Sequence, residues 1–199
     1  MFSDTTPGHV RNGSVPEPEK VPKVLLHVCC APDGTIPWTR LVNEGFQVRG
    51  FFFGSNIHPE AEYQARKTAF LRLAKEKGTP FSIHPYEPFN WMEMTRSLAS
   101  EKEGSGRCAA CFAIQLRAAA LEAVLTGCSC LCTTLTISPH KEPLLINRIG
   151  REVSREYGLE WVERVWRKNS GFLLSIKESR RLELYRQNYC GCCYSIWRR

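Results

Sequence analysis

At 199 residues, with 43% hydrophobic and 24% charged side chains, the chain suits one domain with a real core and has an ordinary globular composition. No apolar run approaches the roughly 20 residues that cross a bilayer, and the N-terminal stretch lacks the apolar core of a secretory signal. These readings exclude a membrane role and lead to an expected cytoplasmic location. Ten cysteines in such a compartment point to metal ligation or redox chemistry rather than structural disulfides. The formal charge of +7 favours a polyanionic partner such as RNA, though only weakly, because many solvated surfaces carry a similar excess.

Residues 1–22, rich in Pro, Gly and Ser, are expected to be a flexible tail, with residues 23–199 forming a single α/β domain. The run VLLHV at 24–28 ends in Cys29 and Cys30, followed at once by Pro32, Asp33 and Gly34. An apolar run bounded in this way reads as a buried strand. Open α/β sheets bind ligands beyond the carboxyl ends of their strands, so two thiols and a carboxylate stand where such a fold places its site. A helix is predicted over 36–44 with Pro37 in its first turn, closed by Gly45. A second buried strand follows over 46–53, then a loop, then a long helix over 59–77. Tyr63, Ala65, Ala69, Phe70 and Leu73 recur there at helical spacing, and Gly78 stops it. A third strand covers 81–84. Strand, helix, strand, helix, strand of these lengths is the pattern of a parallel sheet covered on both faces, a three-layer α/β sandwich.

The second half continues with a helix over 90–99, a polar connection, and a helix over 108–125 rich in Ala and Leu. A strand over 128–135 carries Cys128, Cys130 and Cys132 at period two, hence on one face, and these are read as core packing. A polar loop over 136–142, a helix over 144–157, a short strand over 161–165 and a helix over 172–184 complete a helical C-terminal part.

Three thiol groups carry the candidate chemistry. Cys29 and Cys30 sit at a strand end, where both sulfurs can turn toward one site. Asp33 argues against plain packing, because a buried carboxylate is costly unless it is solvated or binds a cation. Cys108 and Cys111 form a Cys-x-x-Cys at a helix start, where the helix dipole is expected to lower the thiol pKa. With Cys29 and Cys30 they make four, enough for a zinc site or an iron–sulfur cluster. Cys190 and Cys192 flank one glycine. A disulfide between them closes a small, strained and easily reduced ring suited to a redox relay, and a further metal-ligand pair is the competing reading. The segment 133–141, TTLTISPHK, ends its strand with hydroxyls, the His140 imidazole and the Lys141 cation. That is a place to hold a polar substrate or phosphate.

Taken together, LLHVCCAPD, SNIHPEAEYQARK, RCAACF, TTLTISPHK and YRQNYCGCCYS resemble the cobalamin-independent epoxyqueuosine reductases, the QueH family, in the right order from about Val24 to Ser195. The resemblance implies a fold related to the adenine-nucleotide α-hydrolase (HUP) class and an oxidoreductase with a 4Fe–4S cluster. The implied reaction is the last step of queuosine synthesis, removal of the epoxide oxygen from epoxyqueuosine at the wobble position of tRNA. It puts the cluster ligands on Cys29, Cys30, Cys108 and Cys111, and the redox pair on Cys190 and Cys192; Cys193, where this chain departs from the family pattern, is an alternative partner for Cys190. Asp33, with Cys29 or Cys30, is expected to hold an adjacent mononuclear iron or zinc ion. His140 or His58 is the expected proton donor. Arg107, Lys141, Arg180, Arg181 and Arg186 are expected to contact tRNA phosphates, and an external electron donor is required. Two rivals are weighed beside this. An ATP pyrophosphatase of the same fold class needs a Ser-Gly-Gly-x-Asp-Ser-like loop where this chain has Cys-Cys-Ala-Pro-Asp-Gly. A zinc-stabilised RNA-binding module would be colourless.

Overall fold

A computed structural model describes residues 21–196. All but the last two residues of the tail expected over 1–22 lie outside the described residues. Five parallel strands form one sheet in the order β3-β2-β1-β4-β5. They are β1 (Lys23–Val28), β2 (Gln47–Phe52), β3 (Phe81–Ile83), β4 (Cys130–Thr133) and β5 (Glu160–Trp161). β1 is central, with Leu25 aligned to Arg49 on one side and Leu131 on the other. The chain winds outward through β2 and β3, then returns to the far side of β1 as β4. The order therefore reverses between β1 and β4, and their carboxyl ends frame a crevice.

Alternation along β1 builds the layers. Val24, Leu26 and Val28 pack with Trp38, Phe52, Phe70 and Trp166 on one face, and Leu25 packs with Phe51, Leu116, Leu131 and Ile146 on the other. The first face is covered by helices α1 (Ala31–Asn43) and α2 (Glu60–Lys77). The second is covered by α3 (Pro88–Thr95), α4 (Gly106–Leu125) and α5 (Pro143–Glu156). Helix α6 (Gly171–Arg181) packs on α1, and the short α7 (Cys193–Ile196) ends the described chain. This is the three-layer α/β sandwich that the sequence predicts.

Five local expectations change. Helix α1 starts at Ala31 rather than 36, so Pro32-Asp33-Gly34 is its first turn and Pro37 lies inside it. Proline is tolerated in a first turn because the amide it lacks there would have no intrahelical partner. Strand β4 starts only at Cys130, so Cys128 does not share a face with its neighbours. It packs on the α4 side, whereas Cys130 and Cys132 pack on the α1 side, all three buried. The strand predicted over 161–165 shrinks to Glu160–Trp161, and the helix predicted to reach 184 ends at Arg181. Finally, α4 does reach the length and apolarity that could cross a membrane, with 20 residues and a mean hydropathy of 1.6. Its alanines and cysteines raise that value, and its Leu116, Ala119, Ala120 and Ala123 side is buried in the core.

Candidate metal and redox site

Three chain segments meet at the carboxyl end of the sheet. The first is the β1–α1 junction. Cys30 is the extended N-cap of α1 and Asp33 lies in its first turn. The Cys29 and Cys30 sulfurs and an Asp33 carboxylate oxygen all lie within 4.8 Å of one another, the tightest such grouping among the described residues. The Cys29 thiol donates to Asp33 Oδ2 at 3.5 Å and shares a hydrogen bond with Thr134 Oγ1 at 3.4 Å. Gln187 Nε2 donates to Cys30 Sγ at 2.8 Å. The adjacent thiols are split in acidity. A hydrogen bond from Cys30 and the nearby Lys141 cation hold Cys29 below the usual thiol range, against its burial, while burial pushes Cys30 well above it.

The second segment is the start of α4. Gly104 N donates to Cys108 Sγ at 3.1 Å, and Gln115 Nε2 donates to Cys111 Sγ at 3.1 Å. The lowered thiol pKa expected here does not occur. Burial raises Cys108, and pushes Cys111 up to about 12. The helix end is already served by Glu101, whose Oε2 accepts from Ser105 Oγ at 3.0 Å and Arg107 N at 2.8 Å.

The third is the C-terminal cysteine loop. Cys190 and Cys192 are hydrogen-bonded to each other, so that Cys190 is held below the ordinary thiol range and Cys192 above it. Cys192 Sγ also lies 2.9 Å from Ser195 Oγ. Cys193 does not line the cavity that these groups share.

That cavity, about 670 Å³, is lined by Cys29, Asp33, Cys108, Cys111, Cys190 and Cys192, with His140 and Lys141 at the loop after β4. Cys30 lies just beneath it, 1% exposed. Burial works against the Lys141 ammonium, but Cys29, Cys190, Asp33 and Cys30 outweigh it and raise its pKa above that of an ordinary lysine. Lys141 is thus the cation shared by the first and third thiol groups, rather than a free surface contact. Arg107 also departs from expectation. It is 2% exposed, donates to the Ala99 and Glu101 carbonyls, and lies 4.8 Å from the Tyr194 ring centre. Arg181 is engaged by Glu178 and Glu76, whereas Arg186 lines the cavity. His58 lies outside the lining, its ring 5.5 Å from that of Trp91.

Sequence reasoning missed Gln187, Gln115 and Thr134 as partners of the predicted ligand sulfurs. Each predicted ligand sulfur shares a hydrogen bond with an N–H or O–H group. Such bonds tune metal-bound thiolates.

The family model described as epoxyqueuosine reductase QueH matches residues 24–198. The epoxyqueuosine reductase QueH of Acinetobacter baylyi is 36% identical over 180 residues, covering 90% of this chain and 83% of the relative. That of Thermotoga maritima is 34% identical over 182 residues, covering 88% and 91%. That of Streptococcus pyogenes is 34% identical over 180 residues, covering 87% and 70%. Among solved structures, a predicted subunit of tRNA methyltransferase from Methanocaldococcus jannaschii shares the fold, with a TM-score of 0.51 at 11% identity over 78% of this chain and 75% of that one. The five motifs, their convergence on one crevice and a match running almost from β1 to the last residue agree, and the chain belongs to the epoxyqueuosine reductase QueH family.

Proposed function

We propose that this protein reduces epoxyqueuosine in tRNA to queuosine, using an iron–sulfur cluster held in the cavity at the carboxyl end of the sheet. The observation that carries the reading is the meeting of three thiol groups from distant parts of the chain, with one carboxylate, on a single cavity. Cys29, Cys30, Cys108 and Cys111 supply the four thiolates that a 4Fe–4S cluster takes, and hydrogen bonds already directed at their sulfurs suit that role. Asp33 adds a hard oxygen donor. With Cys29 or Cys30 it gives a mixed set that fits an adjacent mononuclear iron or zinc ion. When bound, such groups supply single electrons at low potential and a Lewis acid for an oxygen atom.

The residues of the chain do the rest. Converting an epoxide to an alkene and water takes two electrons and two protons. Oxidation of the Cys190 and Cys192 thiols to a disulfide releases that number of each, and an external electron donor restores the dithiol. His140 lines the cavity and brings a proton to the departing oxygen. Lys141 holds positive charge beside Cys29, Cys190 and Asp33, which favours anionic sulfur there and charge developing on the substrate oxygen. On this reading Arg186, which lines the cavity, meets a tRNA phosphate.

The test is anaerobic incubation of epoxyqueuosine-containing tRNA with the reduced protein, with iron and acid-labile sulfide counted in the same preparation. The product nucleoside should lack one oxygen atom. Cluster-loaded protein that leaves the epoxide intact would overturn the assignment, and colourless zinc protein that still binds tRNA would favour a non-catalytic module.

A further inference from the structure

We propose that Arg66 is the positioning residue of the C-terminal thiol pair, a role that rests on the redox reading of Cys190 and Cys192. Arg66 lies on α2, 124 residues from Cys190 in sequence, and is 3% exposed. A guanidinium so deep is costly unless its donors are met. They are met mostly by the cysteine loop. Arg66 donates to the Cys190 carbonyl at 3.0 Å and to the Tyr189 carbonyl at 3.1 Å, while its Nε donates to Glu62 Oε1 at 2.7 Å. Its Cζ lies 5.3 Å from the centre of the Tyr189 ring.

The loop is shaped to accept this grip. Gly191 has φ +108, and a Cβ there would lie 2.9 Å from Arg66 Nη1, so only glycine lets the chain both turn and close on the guanidinium. The next carbonyl is held too, because His58 N donates to Gly191 O at 2.7 Å, and the Tyr189 hydroxyl returns a bond to the His58 carbonyl. Three successive carbonyls, 189 to 191, are thus fixed from α2 and the segment before it. Each of these carbonyls is held through its backbone oxygen, which leaves both sulfurs in the lining of the cavity. A planar fork can serve adjacent carbonyls together, which an ammonium does less well. Glu62 braces Arg66 and also accepts from the Tyr185 hydroxyl at 2.6 Å, tying the approach to the loop into the same assembly.

The test compares Arg66→Gln and Arg66→Lys with the parent in the metal-loaded full chain, by three readouts. These are the thermal midpoint, the separate kcat and KM for epoxyqueuosine tRNA, and the rate at which diamide oxidises Cys190 and Cys192 to a disulfide, followed by peptide mass. Misplacing a reacting pair by about 1 Å costs on the order of 100-fold in rate. Both kcat and the disulfide rate should therefore fall by roughly 10- to 100-fold in Arg66→Gln, with KM little changed and only partial rescue by lysine. Folded Arg66→Gln with parental kcat and disulfide rate would overturn the proposal, as would a lowered thermal midpoint with both rates intact. Should the glutamine variant fail to fold, Arg66→Lys is judged by the same outcomes. Cys190→Ser separates the two ideas. Full turnover by that variant sinks the relay reading, whereas loss of its turnover beside unchanged Arg66 variants sinks only the clamp.

Discussion

The acidity of Cys190 gives a prediction that can be worked through in numbers. Its thiol is held down to about 6 because Cys192 donates a hydrogen bond to its sulfur and the Lys141 cation lies near, together outweighing burial. An ordinary cysteine titrates near 8.5, so at pH 7 it is about 3% thiolate, against about 90% for Cys190. That ratio of about 30 does not carry through to reactivity. Nucleophilicity falls with basicity along a slope of about 0.4–0.5, which removes roughly 13-fold. The net gain at pH 7 is only about twofold, so the position of the titration, not its amplitude, is the observable. Brief iodoacetamide pulses between about pH 5 and 9, read by the mass of the peptide containing Cys190, should give a rate that levels off above about pH 7. Cys192→Ala removes the principal cause and should move the midpoint upward, Cys192→Ser should move it less, and Lys141→Met should also raise it. A Cys190 rate still climbing at about pH 8.5 in the parent would refute the reasoning.

Further expectations follow from the same geometry. Cys111→Ala should lose visible absorbance and bound iron, and retention of both would remove Cys111 from the ligand set. Gly50→Ala should destabilise the fold by about 1–3 kcal/mol or more, because a Cβ there would fall 2.0 Å from the Trp38 ring in the core. A denaturation midpoint that does not move would contradict that packing. Binding of tRNA should weaken steeply with salt, and Arg186→Gln should lower the slope of log K against log salt by about 1. An unchanged slope would place Arg186 away from phosphate.

The readable parts of the sequence are those where side-chain type alone fixes the environment. VLLHV, a short apolar run bounded by turn formers, reads as a strand buried on both faces, and it pairs on both sides at the sheet centre. The thiols were equally visible, since Cys29, Cys30, Cys108, Cys111, Cys190 and Cys192 stand at element ends where the topology gathers them. Pro32-Asp33-Gly34 misled because its composition suits a turn and a helix's first turn alike. Charge was the least legible quantity. Arg107 and Lys141 read as contacts for tRNA phosphate, yet Arg107 is buried and Lys141 faces thiols and a carboxylate, because the surroundings of a long basic side chain depend on partners far off in sequence. Gln187 meets Cys30 across 157 residues, a distance at which no local pattern gives warning.

The most direct test of the central claim is a single turnover. Protein reduced and then freed of its reductant would be mixed anaerobically with less than one equivalent of epoxyqueuosine tRNA, and the nucleoside and the Cys190–Cys192 peptide analysed together. The account predicts that the epoxide oxygen is lost and that the electrons spent match the alkene formed, two for each molecule. Epoxide that survives contact with fully loaded, reduced protein would contradict it.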